Sequence, residues 1–341
     1  MASDEVKEIT QKKVWEKYVL SQKPKSFLQS WNWGETNRLV GKKIFRIGYY
    51  KDGKLIGVSL VIKEIARRGS HFLIPGGPLI DWNDKNLVKF FLKTISKLAK
   101  KEKVWFIRLR PELIETFENK NTFNSLRFIS APMHLHAENT WVLDLTKKSV
   151  EDILKAMRKN TRYSIRKSLI AGLTVEETTD PKKTRILKML QNETVDRHKF
   201  VGFPEKLFKA QLETFGKDGQ ADLFICYKDK IPLVAAIIIF YGDYAYYHHS
   251  ASSEKARDIP ASYFLQWKII QEAKKRNKKY YNFWGIAPTD DPNHRFAGVT
   301  TFKKGFGGER IDWLHARDLQ ISPFYYLTYI FETIRREIRR L

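Results

Sequence analysis

The sequence predicts an α/β (α+β) protein built from two copies of one unit, each a mixed central sheet flanked by helices. Three observations carry this expectation. Tyr50-Lys51-Asp52 recurs as Tyr227-Lys228-Asp229, an offset of 177 residues. The same offset, without a gap, carries the helical stretch Asn86 to Lys101 onto Tyr263 to Lys278, the strand start Val104-Trp105-Phe106 onto Tyr281-Asn282-Phe283, and Pro111 onto Pro288. Collinear elements at a constant offset are the mark of a duplicated unit. Finally, 341 residues with 43% hydrophobic content suffice for two cores of ordinary size.

In the first copy, Lys43 to Tyr50 and Leu55 to Lys63 flank an Asp52-Gly53 turn, a strong hairpin signal because both residues tolerate left-handed backbone. His71 to Ile74 adds a third strand before the breakers Pro75-Gly76-Gly77-Pro78. The second copy repeats this order with Asp222 to Tyr227, Pro232 to Tyr241, a Gly242-Asp243 turn and Tyr244 to His249. In its helix, Phe264, Trp267, Ile270 and Ala273 recur every three residues and make one apolar stripe for a sheet. Between the copies, Thr146 to Leu169 reads as a helix entered near Ser149. Ser322-Pro323 supplies an N-cap residue and a proline at the first position of a last helix. That tail is aromatic and aliphatic to Phe331 and then carries Arg335, Arg336, Arg339 and Arg340. It reads as a helix docked on a core with a solvated basic end; the alternative is an amphipathic helix in peripheral contact with an anionic membrane.

Sixty-two Lys and Arg against 38 Asp and Glu leave a net charge of +24. Such an excess points to a polyanionic partner, whether nucleic acid, an anionic bilayer or a phosphorylated substrate. The N-terminus, MASDEVKEIT, is polar and acidic, so a secretory signal is not expected. The longest apolar run, Leu233 to Tyr241, has nine residues, far short of the roughly 20 that a spanning helix needs. Cys226, the single cysteine, lies in an apolar strand-like run and reads as core in a reducing compartment. His134 and His136 alternate as on a strand and His248-His249 are adjacent, yet no thiols or clustered carboxylates complete a metal site, and none is expected. Covalent catalysis is not expected either, since no Gly-x-Ser-x-Gly elbow occurs and Cys226 lacks a basic setting.

Two stretches concentrate chemistry. Tyr280 to Glu309 joins an aromatic strand, a Gly285-Ile286-Ala287-Pro288 stop, and Phe302-Lys303-Lys304-Gly305-Phe306-Gly307-Gly308-Glu309. Ammonium groups between aromatic rings on glycine-rich backbone suit a stacked base and a phosphate; a hairpin turn with solvated lysines is the plainer alternative. Arg158, Arg162 and Arg166 fall on one helical face at i, i+4 and i+8 with no acidic residue between them. Such a ladder repels itself unless an anion neutralises it, so it reads as a phosphate-facing stripe or, failing that, as a solvated face.

The run N-F-W-G-I, a polar loop, then F-K-K-G-F-G-G-E resembles the closing signature of the Fem-type (FemA, FemB, FemX) peptidoglycan bridge-forming aminoacyltransferases, with Trp284 in place of one glycine. Phe27-Leu28-Gln29-Ser30 with Trp33, Gly77-Pro78 followed by Asp81, Thr140 to Leu145, and Met157 to Lys167 extend the resemblance over nearly the whole chain. It implies tandem acetyltransferase-like (GNAT-type) domains without a long coiled-coil arm. The first would comprise residues 1–145 plus a returning helix within 318–341, and the second residues 146–317.

The resemblance also implies a cytoplasmic, tRNA-dependent enzyme, taken to be a monomer. It would move an amino acid from aminoacyl-tRNA to a stem-peptide amine of a peptidoglycan precursor, either a UDP-muramyl peptide or a lipid-linked one. No cofactor is implied beyond the aminoacyl-tRNA donor. Nor do the loops offer a coenzyme A cradle, since Ser250 to Pro260 contains no glycine and Gly76-Gly77 lies between prolines. Trp33, Arg38, Arg162, Arg166 and Lys206 would line the precursor, and Phe302, Lys304 and Arg158 the tRNA. Lys303 would stabilise the oxyanion, with Asp81 a candidate proton acceptor beside substrate carboxylates and water. Arg38 stands where the family often has a lysine, and Arg110 where it commonly has an acid. The competing functions are a non-catalytic RNA-binding protein on the same fold and an aminoacyl-tRNA-protein transferase acting on N-termini.

Overall fold

The structure, a computed structural model, describes residues 4–66, 69–146, 149–198 and 201–339; Arg340 of the basic tail lies outside them. Chain contacts divide it into two units, Met1–Glu138 with Asp312–Leu341, and Asn139–Ile311. The first holds β1 (Asp4–Glu8), α1 (Lys12–Ser21), α2 (Trp31–Leu39), β2 (Lys43–Lys51), β3 (Lys54–Ala66), β4 (Gly69–Pro75), α3 (Lys85–Lys101), β5 (Phe106–Arg110), α4 (Phe117–Ser125) and β6 (Ile129–Ser130). The second holds β7 (Asn139–Asp144), α5 (Val150–Ala156), α6 (Lys159–Leu169), β8 (Leu173–Thr178), α7 (Thr184–His198), α8 (Glu205–Phe215), β9 (Ala221–Lys228), β10 (Ile231–Tyr241), β11 (Tyr244–Ser252), α9 (Ala261–Lys275), β12 (Tyr280–Gly285), α10 (Ala297–Lys304) and β13 (Glu309–Asp312). The chain then returns to the first unit with β14 (Arg317–Gln320) and α11 (Tyr325–Arg339).

The strand orders are β1-β2-β3-β4-β5-β14-β6 and, read from the far edge, β8-β9-β10-β11-β12-β7-β13. They are one topology used twice: an antiparallel run of four strands, a parallel neighbour (β4 to β5, β11 to β12), then an antiparallel strand from a distant part of the chain. The hairpins that carry the sequence repeat have matching turns. Asp52 and Gly53 take φ of 50° and 75°, and Asp229 and Lys230 take 49° and 64°, the paired left-handed conformations that a two-residue hairpin loop demands.

Each sheet buries one face under a helix whose apolar period the sequence displays. Helix α3, entered through the Asp84 carboxylate accepting from the amides of Asn86 and Leu87, buries Leu87, Val88, Phe91, Ile95 and Ala99. Helix α9 buries Phe264, Trp267, Ile270 and Ala273, the predicted stripe, along with Leu265 and Ile269. Cys226 is buried in β9 as expected, its thiol pushed up to about 12 by burial.

Three expectations change in detail. The stretch 146–169 is two helices: α5 opens with a capping box at Ser149 and Asp152, and extended backbone at Met157 and Arg158 separates it from α6. The physical reason is that the Arg158 amide donates to the Gly305 carbonyl at 3.0 Å instead of continuing a helical ladder. The division between units falls at 138/139 and 311/312, not at 145/146 and 317/318, because β7 hydrogen-bonds to β12 and enters the second sheet. His134 and His136 sit in the loop between β6 and β7 and not on a strand.

The returning segment is held by buried charge. Arg108 on β5 makes a two-pronged ion pair with Asp318 on β14, at 2.7 and 2.8 Å, and its Nη2 reaches Glu332 on α11 at 2.7 Å. The Tyr325 hydroxyl donates to the same Asp318 carboxylate at 3.2 Å. Burial opposes the guanidinium charge, but these two carboxylates outweigh it and raise the Arg108 pKa. Removing one partner of a buried pair strands the other, so Asp318→Ala is expected to cost about 3–5 kcal/mol of unfolding free energy. Urea titration reads the loss, and a double Arg108→Met, Asp318→Leu variant should recover most of it; a single-variant loss under about 1 kcal/mol would mean that the network does not hold the segment.

Candidate active site

The two units differ at the place where their parallel strands meet. In the first, β4 and β5 stay paired over five residues, from His71 with Phe106 to Pro75 with Arg110. In the second, β11 and β12 pair over only three, from Tyr244 with Tyr280 to Tyr246 with Asn282. Both strands then turn irregular. On β11 the register with β10 shifts so that His248 is the extra residue, and on β12 the register with β7 shifts between Asn282 and Gly285. Trp284, inside that shift, takes φ of 64°, which costs a bulky residue on the order of 1 kcal/mol or more. The conformation is held from the side chain of Asn282, whose Oδ1 accepts from the Trp284 amide at 2.8 Å. Bulges of this kind re-aim groups at strand ends.

The re-aimed group is the Gly285 carbonyl. Lys303, near the end of α10, is 7% exposed and donates from Nζ to that carbonyl at 2.5 Å. One turn earlier the Thr300 hydroxyl accepts from the Ala287 amide and donates to the Phe296 carbonyl, both at 2.8 Å, which fixes α10 against the exit of β12. Burial alone, with no carboxylate opposing it, lowers the Lys303 pKa to about 7. Lys304 shows the contrast: its Nζ meets Asp290 at 2.6 Å and lies 5.5 Å from the centre of the Trp141 ring. The lysines are therefore not solvated turn residues, and the plainer expectation of a hairpin turn is corrected: Lys303 and Lys304 belong to a helix.

The glycine-rich segment that follows ties this helix to α6 and β7. A Cβ at Gly305 would strike the Thr161 hydroxyl, and one at Gly308, where φ is 102°, would strike the Val142 carbonyl. Trp141 Nε1 donates to the Gly307 carbonyl at 2.8 Å. Phe302 packs edge-on against Tyr263 and Phe306. The fold thus brings Phe302, Lys303, Lys304 and the start of α6 at Arg158 into one region. Arg162 turns its Nη1 back to the carbonyls of Met157 and Lys155, closing the C-terminal end of α5, so the cation ladder is partly relieved from within. Arg158 and Arg166 are exposed, as is Lys206 on the first turn of α8.

Behind the parted strands lies a cluster that sequence reasoning missed. The rings of His248 and His249 lie tilted at 46° with centres 4.0 Å apart, and the His248 ring meets the Trp284 ring edge-on at 5.1 Å. Gln211 Nε2 is 3.3 Å from a nitrogen of each histidine, and burial lowers His249 to about 3. The histidine pair was visible in the sequence, but nothing there placed Gln211 beside it. Among the described residues no group of His, Cys, Asp and Glu could hold a metal ion.

In the first unit, Gln29 ties the middle of β3 to the end of β4: its Oε1 accepts from the Leu60 amide at 2.8 Å and its Nε2 donates to the Pro75 carbonyl at 2.7 Å. Trp33 is buried edge-on between Phe27 and His136, and Arg38 is exposed and paired with Glu35, which also holds Arg46. Asp81 is exposed, and its Oδ1 accepts from the Asn83 amide at 2.9 Å as a turn residue. Arg110, fully buried, pairs with Glu112 at 3.0 Å. Asp81 and Lys303 therefore belong to different units.

The model of the FemAB family matches this chain over residues 10–227 and 223–332. The lipid II:glycine glycyltransferase of Staphylococcus haemolyticus (strain JCSC1435) is 23% identical over 354 residues, covering 82% of this chain and 84% of its own. The crystal structure of FemX superposes with a TM-score of 0.82 at 19% identity over 96% of this chain and all of FemX. A tandem GNAT protein of the clavulanic acid pathway gives 0.60 at 9% identity, covering 94% of this chain and 99% of its own. The two units thus share the tandem acetyltransferase-like architecture.

The buried lysine has a thermodynamic signature. A lysine whose folded pKa lies below its unfolded value binds its proton more tightly when unfolded, so protonation favours unfolding. The penalty is full below about 7 and fades as pH approaches about 10. Relative to Lys303→Met, the wild-type protein should gain stability from pH 7 to 10, by up to a few kcal/mol, in denaturant titrations. Parallel curves for the two proteins would place the amine in solvent.

Proposed function

The chain belongs to the FemAB family, and on that premise we propose that it is a tRNA-dependent aminoacyltransferase. In this reading it moves an amino acid from aminoacyl-tRNA to the stem-peptide amine of a peptidoglycan precursor, acting as a cytoplasmic monomer. The relatives named for glycyl transfer to lipid II support the acceptor class. The observation that carries the chemistry is the buried Lys303 amine, held at a strained strand end with a pKa lowered to about 7.

Burial brings the pKa of this amine down toward neutrality, so its charged form is accessible near neutral pH. As an ammonium it donates to the oxyanion that forms when the acceptor amine attacks the ester carbonyl, and burial makes that hydrogen bond stronger than it would be in water. Collapse of the tetrahedral intermediate breaks the ester C–O bond and leaves the new amide. The attacking amine loses one proton to water or to a substrate carboxylate, and the departing ribose hydroxyl takes one up. Asp81, engaged in its turn, is the weaker candidate for that acceptor. Phe302, Lys304 and Arg158 would meet the tRNA, and Trp33, Arg38, Arg166 and Lys206 the precursor. Arg162 would shape that side chiefly through α5.

Incubation with tRNA charged with a labelled amino acid and a muramyl pentapeptide precursor, soluble or lipid-linked, should move label to the acceptor. Binding of tRNA without transfer would leave only an RNA-binding protein, and transfer to a peptide with a basic N-terminus would point to N-terminal aminoacylation. Lys303→Met should slow single-turnover transfer by roughly 10²–10³-fold even at saturating tRNA, and arginine should not restore it. Full recovery at saturating tRNA would assign Lys303 to binding alone. Arg166→Gln should weaken precursor binding, with a difference that shrinks at high salt; equal affinity at low salt would make that face merely solvated.

A further inference from the structure

Helix α11 is amphipathic the wrong way round for a helix that serves only the core. It docks on the first unit through the buried ring of Tyr325, 5.2 Å from that of Phe106, and otherwise through polar contacts: the Tyr325 hydroxyl reaches Asp318 at 3.2 Å, Glu332 reaches Arg108 at 2.7 Å, and Arg336 Nη1 reaches the Pro132 carbonyl at 3.5 Å. Leu327, Ile330, Ile334 and Ile338 lie on the opposite side, 58%, 56%, 52% and 77% exposed. Their spacing of three, four and four residues keeps them within an arc of roughly 80°. Phe324 and Tyr326 extend the exposed surface at the N-terminal end. The sheet face beneath carries Arg108 and Asp318, which explains why the polar side turns inward. It does not explain why the outward side repeats leucine and isoleucine, since a surface helix ordinarily places its apolar stripe on the core.

We propose that this outward stripe docks on a lipid bilayer with anionic headgroups, the helix lying in the plane of the interface. Charge selects this partner. The chain carries +24, Arg335 flanks the stripe, and the sequence ends Arg339-Arg340-Leu341, so anionic phosphates would meet arginines while the branched side chains enter the acyl boundary. A second copy of the chain would cover the same face only by bringing two strongly cationic molecules together. Among the described residues no helix is long and apolar enough to cross a membrane, so the contact is interfacial. The proposal does not depend on the transfer chemistry.

The test is co-sedimentation of the full chain with phosphatidylcholine vesicles, with and without about one-third phosphatidylglycerol. The comparison variant, Ile334→Gln with Ile338→Gln, leaves the net charge unchanged. Wild type should partition onto the anionic vesicles and retain part of that binding at high salt, because the apolar contribution is not screened. The variant should lose about tenfold or more in partitioning while keeping its unfolding midpoint and any transfer to a soluble acceptor. Equal partitioning of the two proteins would show that charge alone acts and overturn the assignment. So would failure of wild type to bind either vesicle, or a wild-type dimer in sedimentation equilibrium that the variant dissolves.

Discussion

The short pairing between β11 and β12 is the constraint from which the candidate chemistry follows. The ladder of β4 and β5 runs on from His71 to Pro75, and the Pro75 carbonyl at its end takes a neutral donor, the Gln29 side-chain amide, at 2.7 Å. When pairing stops after Tyr246 and Asn282, the Gly285 carbonyl needs another donor, and Lys303 supplies it. The strain at Trp284, the Asn282 side chain that holds it, and the docking of α10 through Thr300 are parts of this one arrangement.

Burial acts on charge in opposite ways in the two units. Arg108 sits among two carboxylates and keeps its charge, serving as a structural tie between β5, β14 and α11. Lys303 has a single neutral acceptor and is pushed toward the neutral amine. The same low dielectric that favours a complete ion-pair network penalises an isolated ammonium. A duplicated fold therefore carries an ion-paired buried cation in one copy and a buried amine without a carboxylate partner in the other.

The inverted face of α11 follows from the same accounting of polar groups. With Arg108 and Asp318 on the sheet beneath it, the helix must offer Tyr325 and Glu332 inward, and its branched apolar residues are left to face outward. A protein that turned that stripe to water without use would carry a needless adhesive surface.

Much of the architecture could be read from residues alone. The 177-residue offset, the Asp52-Gly53 turn and the stripe on α9 report local backbone preference and periodicity, which short-range chemistry decides. The cationic segment Phe302 to Glu309 could be recognised as a place of interest for the same reason. What residue order could not supply was environment. It read Lys303 and Lys304 alike, yet one is buried against a carbonyl and the other paired with Asp290. It read Arg158, Arg162 and Arg166 as one ladder, yet Arg162 closes α5, and the break at Met157 and Arg158 arises from a hydrogen bond to Gly305 far along the chain. It also made α11 a tail with a basic end, without showing which side would meet the sheet. Sequence determines which groups exist and how they repeat; only the tertiary structure decides which are desolvated and by what they are faced, because desolvation is set by atoms brought together from distant positions.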